Sequence, residues 1–312
     1  MKLLGFALAM AIAAHAALVQ DVRSATAARN WPLAEKLVAD FQRQNGWTPE
    51  AILAQSWIAR GAQAAAEWDR AQQAAAKTRS LVIAALKHRK LDDEPQLPLA
   101  LGASIEVQAL SLAGQNQRTE AVALLQTEIK TWYATSIRAR LQKNLNLLTL
   151  EGKPAPALET KQFIGPAGPA PTAPGLARSG LASLKGKPVI LFFWAHWCGD
   201  CKQQGPILAR LQQEHKASGL VLVGPTQKYG YIAGGVDAPP AEELAYIERI
   251  RTQFYGSLDM SVPVSEENFK SWGCSTTPTL ALIDRAGIVR LYHPGRMTYE
   301  ELAPKVAAIV EN

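Results

Sequence analysis

Apolar positions recur in two different rhythms along the 312 residues of this chain. Between residues 17 and 150 they are spaced by threes and fours, as on one face of a helix. Leu33, Ala34, Leu37, Val38 and Phe41 make one such stripe, closed by Asn45-Gly46. Thr48-Pro49-Glu50 opens the next, with Thr48 placed to cap the helix and proline at its first position. The pattern then runs from Ile52 to Leu86. A polar, proline-bearing break from Leu91 to Pro98 precedes Ala100–Ala113 and Thr119–Tyr133, an expected antiparallel helical pair turning at Gly114-Gln115-Asn116. Ala, Leu, Gln and Arg dominate throughout and favour helix.

After Gly152 short apolar runs alternate with amphipathic stretches. Pro188–Trp194, Leu220–Val223, Ser261–Val264, Thr279–Ile283 and Ile288–Tyr292 read as strands, and Cys201–Ser218, Ala241–Tyr255 and Thr298–Val310 as helices. Strands separated by helices imply an α/β sheet. Gly152–Pro156 is a turn-rich joint, and the Pro/Gly/Ala-rich segment 165–180 is expected to be an irregular loop. The chain thus divides into a leader (1–16), an all-α domain (17–150) and an α/β domain (151–312). Asn30–Leu37 and Gln117–Leu124 echo each other like second-helix entries of a tetratricopeptide-type repeat. Their 87-residue interval is no multiple of about 34, so a repeat-like scaffold and an ordinary helical domain both stay open.

The leader has the form of an export signal: Lys2, twelve apolar residues from Leu3 to Ala14, and the small-x-small site Ala14-His15-Ala16. The apolar run is shorter than the roughly 20 residues of a bilayer span. No other stretch is expected to cross a membrane, which implies a soluble periplasmic or otherwise extracytoplasmic protein beginning near Ala17. Composition is globular, at 48% hydrophobic and 19% charged. The formal charge of +6 sits mostly in the helical half, where residues 17–150 hold 16 Lys and Arg against 12 Asp and Glu. No basic patch or recognition module accompanies it, so no nucleic-acid partner is expected.

Three cysteines occur, and two stand as Cys198-Gly199-Asp200-Cys201. A buried strand feeding a Cys-x-x-Cys that opens a helix has a chemical purpose. Free N–H groups and the helix dipole stabilise the thiolate of the first cysteine. Cys198 would attack a disulfide, and Cys201, one turn on, would resolve the mixed disulfide. The redox-active Cys198–Cys201 disulfide then needs no organic cofactor. A zinc site would require two further ligands, and Cys274, His88, His215 and His293 form no second cluster at ligand spacing.

Trp197-Cys198-x-x-Cys201-Lys202, Pro206, the distant Thr276-Thr277-Pro278-Thr279, and Gly295 together resemble the thioredoxin superfamily. Gly152–Pro156, Leu184–Pro188, Leu282–Gly287, the leader and the extra helix after Ala241 look like its TlpA/ResA-like exported thiol–disulfide oxidoreductases. The resemblance covers only the C-terminal half. It implies a thioredoxin-like fold, a central mixed sheet flanked by helices, preceded by the all-α domain. It implies reduction of protein disulfides, supplied by a membrane-bound thiol electron donor. It also implies that Pro278 is cis, and that Trp197, Thr277, Pro278 and Gly295 shape the substrate groove.

Gly199, Asp200 and His196 would modulate the pair: Asp200 by disfavouring a nearby thiolate, and His196, taken as an exposed side chain, oppositely when protonated. Two positions depart from the family. Phe192 stands where thioredoxins carry a buried carboxylate, and Gln204 where cytochrome-maturation members carry glutamate. Cys274, Trp272, Trp194 and Phe193 are expected in the core, and Trp197 exposed. Tyr229-Gly230-Tyr231 either lines a groove or packs its own loop. The alternatives are a disulfide oxidase or isomerase, a peroxidase (disfavoured by the lack of Pro and Thr from Leu191 to Trp197), and a non-enzymatic protein whose helical domain binds another protein.

Overall fold

The computed structural model describes residues 17–165 and 176–311. The expected leader, and most of the Pro/Gly/Ala-rich segment, lie outside the described residues. The chain forms two compact units, Met1–Asn144 and Leu145–Asn312.

The first unit is helical: α1 (17–27), α2 (Trp31–Asn45), α3 (Pro49–Ala64), α4 (Trp68–Ala85), α5 (Gln96–Gly114), α6 (Arg118–Thr131) and the start of α7 (Arg138–Thr149). Thr48 caps α3 as expected, its side chain accepting from Ala51 N–H at 3.2 Å. The continuous pattern from Ile52 to Leu86 is in fact two helices, broken at Ala65-Ala66-Glu67. Ala66 takes φ +59° without glycine or proline to announce it.

That break belongs to a series. Asn30, Glu67 and Gln117 each donate their N–H to the carbonyl five residues back (Ala25, Ala62, Leu112), and the residue before each donates to the one three back. These are three copies of one Schellman-type turn, so α1/α2, α3/α4 and α5/α6 are three like helical hairpins. Four residues past each N-cap sits a fully buried alanine: Ala34, Ala71 and Ala121. The echo seen in the sequence joins the first and third hairpins, and the second had gone unread. Small residues let the helices close: a Cβ on Gly61 would lie 2.6 Å from Thr26 Cβ, and one on Gly114 2.7 Å from the Trp68 ring. α5 is long and apolar enough to cross a bilayer, at mean hydropathy 1.3, contrary to expectation. Here Leu97, Leu101, Ile105 and Val107 are buried within the helical unit, which accounts for its uniform apolarity.

The second unit is a six-stranded sheet in the order β1-β4-β3-β2-β5-β6, comprising β1 (Phe163–Ile164), β2 (Val189–Phe193), β3 (Val221–Val223), β4 (Met260–Pro263), β5 (Thr279–Ile283) and β6 (Val289–Pro294). β2 runs parallel to β3 and antiparallel to β5, so the sheet is mixed. The helices are the short α8 (Leu176–Ser179), α9 (Gly199–Glu214), α10 (Pro240–Tyr255), α11 (Glu266–Ser271) and α12 (Tyr299–Glu311). β2 explains its own apolar run. Ile190, Phe192 and then Trp194 enter a core with Leu208, Ile247, Tyr255 and Val306, while Val189, Leu191 and Phe193 enter another with Leu184, Phe269 and Trp272. A strand covered on both faces has no polar side to alternate with.

Candidate active site

β2 leads into the site through a segment pinned on both sides. Trp194 donates its N–H to Pro225 O (3.1 Å) and its indole Nε1–H to Gly224 O (2.9 Å), and its own carbonyl accepts from Thr226 Oγ1 (2.9 Å). Gly224 makes room for the buried Met260 side chain, against which a Cβ here would press. Beneath, Tyr255 packs edge-on against Phe192 and Trp194, with ring centroids at 5.7 and 4.9 Å. These contacts anchor the chain as it leaves β2, and Cys198, four residues after Trp194, is the N-cap of α9.

Cys198 and Cys201 are joined in a disulfide, their Cα atoms 5.2 Å apart. Cys198 Sγ also accepts the backbone N–H of Cys201 at 3.0 Å. That N–H is one of the free donors of the helix N-terminus, and it would bond more strongly to a thiolate than to a thiol. Cys198 is 3% exposed and Cys201 fully buried. Of the two sulfurs' residues, only Cys198 keeps any exposed surface. Gly199 and Asp200 lie exposed in the first turn, and Trp197 stands out at 49% exposure.

The Thr277–Pro278 peptide is cis. Antiparallel register sets Thr279 opposite Phe193, so Pro278 and the cysteine-bearing segment emerge at the same end of the sheet. Gly295 N–H donates to Pro278 O at 2.7 Å, with Gly295 at φ +112°, a backbone angle that favours glycine. Thr277 is half-buried, its Oγ1 without a partner. Gln204 is buried and accepts Met297 N–H at 2.9 Å, while Arg296 donates to Gln203 Oε1 at 2.6 Å, which ties the loop after Gly295 to α9.

His196 overturns one expectation: it is buried, at 1% exposure. Tyr229, Tyr231 and Tyr246 surround its ring edge-on, at centroid distances of 5.4, 5.3 and 5.2 Å. Burial lowers its pKa from the ordinary value, partly opposed by the nearby Glu243 carboxylate. Glu243 Oε1 lies 3.5 Å from His196 Nε2 and is itself 1% exposed. Its two oxygens accept the backbone N–H groups of Tyr229 and Gly230, the latter at 2.9 Å. Tyr229 packs edge-on against Trp197 at 5.6 Å, and burial raises its hydroxyl pKa. The Tyr229–Tyr231 loop therefore both packs and borders the redox segment.

Glu243 was missed in the sequence, although a signal existed. With Ile247, Ile250 and Tyr255 it falls on the buried stripe of α10, where a carboxylate needs donors to be tolerated.

Cys274 is a free, buried thiol whose pKa is pushed well up by burial. Trp194, Phe193 and Trp272 are fully buried, as expected. Among the described residues no group of three or more His, Cys, Asp or Glu side chains is arranged to hold a metal ion.

Residues 152–292 match the AhpC/TSA family. The thioredoxin-like protein YneN of Bacillus subtilis is 28% identical over 159 residues, covering 50% of this chain and 78% of that protein. The thiol-disulfide oxidoreductase ResA of Geobacillus thermodenitrificans is 26% identical over 129 residues, covering 41% and 67%. Among solved structures, the exposed lipoprotein thioredoxin of Streptococcus pneumoniae aligns at 23% identity and a TM-score of 0.32, covering 41% of this chain and 89% of its own. The C-terminal half is a thioredoxin-like domain of the thiol–disulfide oxidoreductase kind, and the family match begins at residue 152.

Proposed function

We propose that this protein, whose C-terminal half is a thioredoxin-like oxidoreductase domain, reduces disulfides in protein substrates outside the cytoplasm. The observation that carries the reading is the placement of Cys198 at the N-cap of α9, its sulfur accepting the Cys201 N–H while Cys201 lies fully buried behind it.

In the reduced protein the Cys198 thiolate attacks one sulfur of a substrate disulfide. A Cys198–substrate bond forms, the substrate S–S bond breaks, and the departing thiolate takes up a proton. Cys201 attacks Cys198 Sγ, its proton passing to the second substrate sulfur as that sulfur departs. This forms the intramolecular disulfide and releases the second substrate sulfur as a thiol. Two electrons pass to the substrate, and a thiol donor, for which we assign a membrane-bound protein, must return them. Exposed Trp197 offers an apolar surface beside the nucleophile, and Thr277, Pro278 and Gly295 at the same end of the sheet provide the backbone edge on which a substrate segment rests. The leader, from Lys2 to Ala16, supports an extracytoplasmic location.

The test is the equilibrium reduction potential of the Cys198–Cys201 pair against glutathione and dithiothreitol buffers. Thioredoxin lies at about −270 mV and a strong periplasmic oxidant at about −120 mV. A value near the first is expected; one near the second overturns reduction in favour of oxidation or isomerisation.

A further inference from the structure

The helical unit contains a cavity of about 620 Å³ between α1 and α3, within the roughly 300–1,000 Å³ of small-molecule sites. Its wall is charged on one sign only. Arg23, Arg29 and Arg60 line it, with Gln20, Ser24 and Trp57, and no Asp or Glu stands among the described lining residues. The guanidinium carbons of Arg23 and Arg60 lie 4.3 and 4.4 Å from the centroid of the same indole, Trp57. One aromatic ring thus gathers two cations that would otherwise repel each other.

Among the described residues no ion pair cancels their charge. Glu106, whose field reaches Arg60, is occupied by Arg140 Nε at 2.7 Å, Lys143 Nζ at 3.3 Å and Asn144 Nδ2 at 2.9 Å. Arg60 Nε is buried and has no hydrogen-bond partner. Burial, with Arg140 and Arg23 close by, lowers the Arg60 pKa to about 10. A buried donor without an acceptor is destabilising, and an anion in the cavity would relieve that and the mutual repulsion together. At its floor α1 and α3 approach closely, Gly61 against Thr26.

We propose that this cavity binds a small organic anion, its carboxylate or phosphate oxygens held by Arg23, Arg29 and Arg60 and its carbon skeleton against Ala27 and Ala64. The site is independent of the cysteine chemistry. Two sources of the same oxyanion chemistry are separated by the probe. The purified full chain is titrated calorimetrically with succinate and, separately, with inorganic phosphate, at low and at 0.5 M salt.

One saturable site is expected for at least one probe, weakened by salt. Succinate alone assigns a carboxylic acid, and phosphate alone a phosphorylated ligand. Arg23→Gln should weaken binding at least tenfold and Arg23→Lys less. Arg23 is exposed, so these variants leave the core untouched. Arg60→Gln, checked for intact helicity, should do the same. Saturation by neither probe overturns the proposal, as does binding that Arg23→Gln leaves unchanged.

Discussion

Replacing Glu243 probes the support behind the redox segment. In Glu243→Ala the N–H groups of half-buried Tyr229 and exposed Gly230 lose their carboxylate acceptor. The orphaned Tyr229 donor costs about 1–3 kcal/mol, and the Gly230 donor less, because water can replace the carboxylate there. Removing a desolvated carboxylate returns part of that, leaving a net loss of about 1–2 kcal/mol. Glu243→Gln keeps one acceptor oxygen but points an amide N–H₂ at the other donor, for about half the loss. The readout is native-state hydrogen exchange resolved at these two amides, which isolates this loop from the helical unit. At tenfold per 1.4 kcal/mol, exchange should quicken by about 5- to 30-fold in Glu243→Ala and by about 2- to 5-fold in Glu243→Gln. Equal rates in wild type and both variants would show that the carboxylate does not hold the loop, and the account of His196 burial would fall with it.

Three further outcomes are expected. Cys201→Ser should accumulate a mixed disulfide with a protein substrate, visible by intact mass, and Cys198→Ser should not, because Cys201 is sealed from solvent; the reverse pattern would reassign the nucleophile. Because burial lowers the folded pKa of His196, the unfolded chain binds that proton more readily. Its contribution is then complete above about pH 6.5 and is lost as pH falls toward the folded value, by at most about 1.4 kcal/mol per pH unit. His196→Asn should flatten that share of the denaturant-derived stability curve between pH 7 and 5, and parallel curves for the two proteins would contradict it. Gly61→Ala gains about 1 kcal/mol of helix propensity but drives a Cβ to 2.6 Å from buried Thr26, an overpacking cost of about 1–3 kcal/mol. The helical unit should melt a few degrees lower, and a rise in melting temperature would refute the close contact.

The strands of the second unit could be read from the chain because β2 and β5 are buried on both faces and have continuous apolar runs. The redox pair could be read because Cys-x-x-Cys at a strand-to-helix turn has few other uses. Elements held by distant partners were less legible. β1, only Phe163–Ile164, exists through pairing with β4. α11, six residues long, is too short for its periodicity to register. His196 looked exposed because nothing local reveals that three tyrosines from the loop after β3 and from α10 enclose it. The break at Ala66 escaped notice because no glycine holds the left-handed position of the hairpin turns, and a left-handed alanine leaves no compositional mark.

Those turns have a consequence for engineering. Arg29, Ala66 and Asn116 all hold positive φ at the point where helix C-termini favour glycine. A left-handed L-residue costs about 1–2 kcal/mol, and asparagine less. Glycine gives back about 0.5–1 kcal/mol of that through its freer unfolded chain. The helical unit therefore sits below the thermal tolerance its architecture permits. Ala66, with no side-chain polar group to compensate, is where a single exchange to glycine should raise it.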